Sequence, residues 1–339
     1  MNILFDIKHV AHVNFFKPLI NQLVKENKNV IISYIQRGRL EKIIKSEFPD
    51  VESFSIGRHR GTKWSIIYEA NILKFFNALS LLRKKNVFIM LGVDAFVTGF
   101  ACKLLGIPNL QFYDDPERKV NLWLEQKTSN ELFYPAIKDF SGTKVQTYEA
   151  LKEWAYLSPT FFEPDATSLD EYNLKPNEYY FVREVDNGSL NYQGQESGLI
   201  AQVSEKFPEG TPVLLSLENK SQKHLYPENW ILLQEPIPLI HSLMYFSKSV
   251  ISSGDSMARE GAMLGVPSFY VGFREMTANN FIEKEGRFFV ASPEELVSQL
   301  SDISNDYSSS KKEYRESLEE KWINVTEMMK SLINKYSSN

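Results

Sequence analysis

The chain has 339 residues, too many for one ordinary core and enough for two domains of about 150 residues each. Hydrophobic residues make up 43% and charged residues 24%, which excludes disordered and collagen-like classes, and no run of about 18 apolar residues is present to span a bilayer. A net charge of −5 argues against a nucleic-acid partner held through many phosphates, and a single cysteine, Cys102, excludes an intrachain disulfide framework.

Residues 3–7 read as a short strand, followed by a loop and by Phe15, Phe16, Leu19, Ile20, Leu23 and Val24 at helical spacing. No basic n-region, apolar h-region or cleavage site precedes the strand, so a cytoplasmic location is expected. The connecting loop carries His9 and His12 at the carboxyl edge of the strand, where a doubly wound sheet places its ligands. Histidine titrates near neutrality, so either ring could take a proton from an acceptor hydroxyl; a ring that merely bonds loop backbone is the structural alternative. His12 is preferred as the base because it lies nearer the helix start. A metal reading of the three-residue spacing lacks a third ligand, and no metal is expected.

Residues 29–34 give a second strand and complete a βαβ unit. The cluster Arg58-His59-Arg60-Gly61-Thr62-Lys63-Trp64 is modestly basic. Residues 87–91 form a strand apolar on both faces, 95–105 a helix closed by Gly106, and 107–112 a further strand. Asp94, Asp114 and Glu117 follow these strands at the same edge, where taken alone Asp94 reads as a helix cap and the others as an exposed acidic turn. Periodicity lapses between 158 and 177, which places a boundary near residue 170 and gives domains of 1–170 and 171–339. A second alternating series begins at 179–182 and runs through a helix near 196–207, strands at 212–217 and 230–233, a helix at 238–247, a strand at 248–252, a helix at 256–264 and a strand at 267–271. The chain ends in one long amphipathic helix, 311–336. Two such series imply two Rossmann-like, doubly wound α/β domains facing a cleft between their carboxyl-end loops.

The segment Ser252-Ser253-Gly254-Asp255-Ser256 joins a buried strand to a helix through small and turn-forming residues, so a ligand can approach the main chain. The first turn of that helix, with Met257 and Glu260, presents N–H groups lacking helical partners and the positive end of the helix dipole, a means of holding phosphate without a metal. Simple N-capping by Asp255 or Ser256 is the structural alternative. The helix, apolar strand, small-residue turn, glutamate-bearing helix and Leu264-Gly265-Val266-Pro267 together resemble the donor-binding segment of GT-B enzymes, among them UDP-GlcNAc 2-epimerases and the lipid II N-acetylglucosaminyltransferase. The opening Asp6-x-x-His9-x-x-His12-x-x-Phe15-Phe16, with Tyr180-Phe181-Val182-Arg183, resembles a family of GT-B-like proteins from archaea and bacteria over roughly residues 1–290.

The resemblance implies that the amides near Ser253, Gly254, Asp255, Ser256 and Met257 bind a diphosphate and that Glu260 binds the ribose hydroxyls. Arg183 and Glu218, at strand ends, are further substrate-binding candidates, with an ion pair as the plain alternative for Arg183. Asp94, Asp114 and Glu117 correspond to loops where the epimerases place proton-transfer groups. Arg183-Glu184-Val185-Asp186-Asn187 lacks the epimerases' histidine, which counts against epimerase chemistry. The expected protein is a metal-independent, GT-B-like glycosyltransferase with no cofactor beyond its nucleotide-sugar substrate. It takes a UDP-sugar donor and a glycan or lipid-linked acceptor, the latter compatible with peripheral contact at the inner face of the membrane. A 2-epimerase and a non-catalytic nucleotide-sugar-binding subunit are the alternatives.

Overall fold

A computed structural model describes residues 1–59, 65–113, 115, 118–138, 140, 143, 145–186, 194–234, 237, 239–301, 307 and 310–337. Asp114, Glu117, Asn187 and residues 60–64 of the basic cluster lie outside these. The chain divides into one unit of Met1–Tyr156 with Trp322–Asn339 and a second of Leu157–Lys321.

In the first unit, strands β1 (Asn2–Ile7), β2 (Asn29–Gln36), β3 (Glu52–Arg58), β4 (Val87–Val93), β5 (Asn109–Phe112), β6 (Glu131–Pro135) and β7 (Val145–Tyr148) form a sheet of order β3-β2-β1-β4-β5-β6-β7. Every ladder is parallel. Parallel neighbours require crossovers, supplied by helices α1 (Val10–Lys25), α2 (Leu40–Glu47), α3 (Lys74–Lys84), α4 (Phe96–Leu105) and α5 (Lys119–Thr128). From β1 the chain winds out to β3 and then returns to pair β4 on the other side of β1. The loops leaving β1 and β4 therefore diverge, which makes this a topological switch point. Beneath them Leu4, Leu82, Met90, Ala101 and Cys102 share one core, so Cys102 is an inert buried thiol.

The second unit repeats the design. Strands β8 (Tyr180–Glu184), β9 (Val213–Leu217), β10 (Ile231–Leu232), β11 (Ser249–Ser252), β12 (Ser268–Tyr270) and β13 (Phe288–Val290) pair in parallel in the order β10-β9-β8-β11-β12-β13, with the switch point between β8 and β11. Both units are thus Rossmann-like. The helix expected near 196–207 is a 3-10 segment, Ala201–Lys206. Just before it, the Ile200 amide donates to the buried Glu184 carboxylate at 3.0 Å, so a strand side chain satisfies the backbone there.

The crossing between units falls at Tyr156/Leu157 and not near residue 170, and the chain returns to the first unit at Trp322. The long C-terminal helix is present but interrupted, as Lys311–Lys321 in the second unit and Val325–Ser337 in the first. The break follows from a capping signal. Asn324 accepts the Glu327 amide at 3.0 Å and restarts the helix, while Trp322 turns inward against Trp154 with ring centroids 5.3 Å apart. The apolar stripe still buries as its spacing predicts, Val325, Met329 and Ile333 being nearly inaccessible. Among the described residues no helix is long and apolar enough to cross a membrane.

Two strand-end loops as candidate functional sites

In the second unit, β11 delivers the chain into Ser253 and Gly254, and a helix begins at Asp255 and runs to Met263. The small residues here are needed for packing as well as access. A Cβ at Gly261 would lie 2.9 Å from the Val250 side chain, so this helix sits directly on β11. The turn is rigid. Ser253 donates its amide to the Arg183 carbonyl at 3.0 Å and accepts the Val185 amide on its hydroxyl at 2.9 Å. Ser252 Oγ accepts the Gly254 amide and donates back to the Gly254 carbonyl.

Asp255 is the main departure from expectation. Its carboxylate is fully buried and accepts from Arg259 at 2.6 Å, with Arg274 at 3.8 Å, and Arg259 in turn reaches Asn279 at 2.8 Å. It faces inward and clamps its own helix, and it is not the N-cap. The Ser253 amide and hydroxyl and the Gly254 amide are likewise committed within the protein. The N-cap is Gly254, which offers no side-chain acceptor to the first turn. Consequently the amides of Ser256, which is exposed, and of Met257 donate to nothing among the described residues, and they form the open part of this helix start.

Glu260, one turn further on, meets His241 Nε2 at 3.4 Å, both side chains being mostly buried. His241 lies on the helix Ile240–Tyr245, and its contact with Glu260 brings it to the candidate site. At the end of β8, Arg183 donates to Ser216 Oγ at 2.9 Å and lies 3.6 Å from Glu218, which also accepts the Asp186 amide at 2.7 Å. Arg183 and Glu218 are therefore brought together at the switch point as an ion pair.

The first unit assembles its own cluster at the β1/β4 switch. His9 is the N-cap of α1, its Nδ1 accepting the Ala11 amide at 3.3 Å, and His12 Nδ1 accepts the Lys8 amide at 3.4 Å. Burial first, then the positive charge of Lys152, holds the His12 pKa well below the usual 6.5; burial followed by Arg37 and Lys152 draws the more exposed His9 down to about 4. Both rings are neutral at pH 7. With Nδ1 accepting, the neutral tautomer carries its proton on Nε2, so in this arrangement the rings present donors. For His12 to act as a base, the long contact to the Lys8 amide must be given up.

Asp94 follows β4 in the left-handed region, φ 50°, and accepts from Lys8 Nζ at 2.7 Å and from Asn121 at 3.3 Å. It does not cap α4. That role falls to Glu125, whose buried carboxylate accepts the Phe96 amide at 2.9 Å. Burial, reinforced by the Asp94 carboxylate, pushes the Glu125 pKa up to about 8. Behind them Asp6 accepts from Lys74 at 2.7 Å, Thr98 at 2.7 Å and Ser33 at 3.0 Å, wholly out of solvent. Lys8, Lys74 and Glu125 were not singled out from sequence. The signal for Lys74 is an aspartate inside an otherwise apolar strand, which demands a buried partner, whereas Lys8 pairs with Asp94 beyond the strand end. Among the described residues no group of three or more His, Cys, Asp or Glu is placed to hold a metal ion.

These shifts fix a pH dependence of stability. A carboxyl whose folded pKa is raised binds its proton more tightly when folded, so the stabilisation it brings is present below about 4.5 and lost as pH rises through about 8. His12, depressed, acts oppositely: stability is lost as pH falls below 6.5, where the unfolded ring takes up the proton first. Glu125→Gln, which keeps an acceptor for Phe96, is expected to remove up to about 3–4 kcal/mol of the alkaline decline between pH 5 and 8. Urea melts across that range measure it; an unchanged slope would mean that Glu125 titrates normally.

A family model described as "Protein of unknown function (DUF354)" matches residues 1–336. The uncharacterized protein MJ0665 of Methanocaldococcus jannaschii is 22% identical over 319 residues, 89% of this chain and 91% of its own length. Among solved structures, the spinosyn forosaminyltransferase SpnP aligns with a TM-score of 0.71 at 11% identity over 99% of both chains. The glycosyltransferase VinC in complex with dTDP aligns at 0.68 and 12% over 100% of both. The UDP-GlcNAc 2-epimerase of Neisseria meningitidis bound to UDP-GlcNAc aligns at 0.64 and 14%, again over 100% of both. At these identities the likeness is one of fold, and the fold is GT-B-like.

Proposed function

We propose that this chain, which belongs to the DUF354 family, is a glycosyltransferase that moves a sugar from a UDP-linked donor to a hydroxyl acceptor in the assembly of a surface glycan or polysaccharide. The observation that carries the reading is the helix start at Asp255, where the Asp255 side chain is turned inward and the Ser256 and Met257 amides have no hydrogen-bond acceptor among the described residues. Such amides hold a diphosphate in place. They also stabilise the charge that develops on it as the glycosidic bond breaks, with no reorganisation at the moment of reaction. Glu260 accepts both hydroxyls of the ribose, as a carboxylate can, and Arg183 offers a cation to the phosphates. On the acceptor side His12 activates the hydroxyl, with His9 and Asp94 beside it. The reading calls on no metal and no cofactor beyond the nucleotide sugar, and it takes a glycan or a lipid-linked acceptor.

The test is a melting-temperature panel with UDP, GDP, dTDP, CMP and NAD, in which a ligand of the folded state raises the midpoint. UDP is expected to raise it most. His12→Gln is then expected to lower turnover roughly 10²–10⁴-fold with donor affinity unchanged. An epimerase reading is favoured by one observation, the proton-bearing Glu125 close to Asp94. UDP release with ManNAc formation from UDP-GlcNAc alone, without acceptor, would replace the transferase reading by it. Full biological activity in both His9→Ala and His12→Ala would point instead to a non-catalytic nucleotide-sugar-binding subunit.

A further inference from the structure

We infer that the helical layer of α3, α4 and α5 in the first unit is a docking surface for an anionic lipid bilayer. Half of the large hydrophobic side chains exposed among the described residues lie on this layer and the turn that leads into it. Six of them occur in pairs one helical turn apart: Ile72 with Phe76, Phe100 with Leu104, and Val120 with Trp123. Their exposure is large, 61% for Phe76, 59% for Leu104, 71% for Val120 and 56% for Trp123. The pairs belong to one surface, because α3 packs on α4 and α4 on α5, and because Phe75 lies 5.3 Å from Phe76 and stacks on Phe100 at 5.4 Å. On the other face of the sheet α1 is covered by the helix Val325–Ser337.

Charge decides the occupant. The three helices carry Arg83, Lys84, Lys103, Lys119 and Lys127 on their exposed positions, and their one acidic residue, Glu125, is fully buried as the cap of α4. The half-buried Glu69 in the preceding turn is the nearest carboxylate in sequence to α3. On a chain with a net charge of −5, the exposed charged side chains of these three helices are thus all positive, and they interleave with aromatic and aliphatic side chains. A bilayer interface satisfies both halves of that chemistry, since apolar side chains enter the acyl boundary while lysine and arginine meet the headgroup phosphates. This surface shares no residue with the Ser256 helix start, so it stands or falls independently of the glycosyltransferase reading.

The test is flotation of the full chain with vesicles of phosphatidylcholine alone and of phosphatidylcholine mixed with phosphatidylglycerol. Binding is expected to the mixed vesicles only and to weaken with salt. Lys84→Glu/Lys119→Glu is expected to lower the bound fraction roughly tenfold or more. Phe76→Ser/Trp123→Ser is expected to abolish the binding that survives high salt. All four side chains are exposed, so both variants should melt as the parent does. Absent binding, equal binding to neutral vesicles, or variants that float like the parent would each overturn the inference. So would a concentration-dependent dimer, seen by sedimentation and lost in Phe76→Ser/Trp123→Ser, because it would assign the face to a second copy of the chain.

Discussion

Ser256→Glu is expected to abolish sugar-nucleotide binding in a protein that is as stable as the parent or slightly more so. Ser256 occupies the second position of the helix Asp255–Met263 and is exposed, so the new carboxylate needs no repacking. In the free protein it lies at the positive end of the helix and gains about 0.3–1 kcal/mol. With a diphosphate on the same amides, two like charges about 4 Å apart repel by about 4 kcal/mol at an effective dielectric of 20. Even after screening, affinity for UDP is expected to fall roughly hundredfold or more. Titration calorimetry with UDP, paired with a thermal melt, reads both effects, and their opposite signs separate loss of a site from loss of a fold. Ser256→Ala should bind nearly as the parent does, because the amides and not the hydroxyl do the holding. A Ser256→Glu protein that binds UDP normally would place the diphosphate elsewhere.

The contrast between Ser256 and Asp255 shows where sequence reading stops. That a strand, a small-residue turn and a helix start lie at 249–256 follows from hydrophobic runs and turn chemistry, which are local properties. Which way Asp255 points depends on Arg259, Arg274 and Asn279, and only one of these is a helical neighbour in sequence. The histidine pair behaves similarly: its position after β1 is legible, whereas the placement of His12 inside α1 and the tautomer set by the Lys8 and Ala11 amides are not. Missed elements have physical reasons. β3 is a half-exposed edge strand of mixed polarity, β6 ends on Pro135, and α5 turns Val120 and Trp123 outward, so none shows a clean apolar period. The break in the C-terminal helix, by contrast, was written in Asn324-x-x-Glu327, a capping signal embedded in an otherwise continuous amphipathic stripe.

Asp6→Asn is expected to destabilise the first unit by about 3–5 kcal/mol, because it leaves the Lys74 ammonium buried without its counter-ion. Lys74→Met should cost a similar amount by stranding the carboxylate, although Thr98 and Ser33 still donate to it. The double variant Asp6→Asn/Lys74→Met is expected to lose far less than the sum, since a buried pair replaced as a whole is often nearly neutral, and the difference is the coupling energy of the pair. Burial already draws the Lys74 pKa down, against the pull of Asp6. Once Asp6 is neutral, the folded protein should hold that proton even less well than the unfolded chain. The Asp6→Asn protein should therefore recover stability as pH rises toward the ordinary lysine range, a gain absent from the double variant. Chemical denaturation of the four proteins at two pH values tests this, and additive losses with no pH recovery would mean that the pair is not coupled. The consequence reaches the site, because Asp6 ties β1 to β2, α3 and α4 immediately behind Lys8, His9 and Asp94. The charge pair is thus placed to hold the switch-point loops in register, and single variants should lose turnover before they lose the fold.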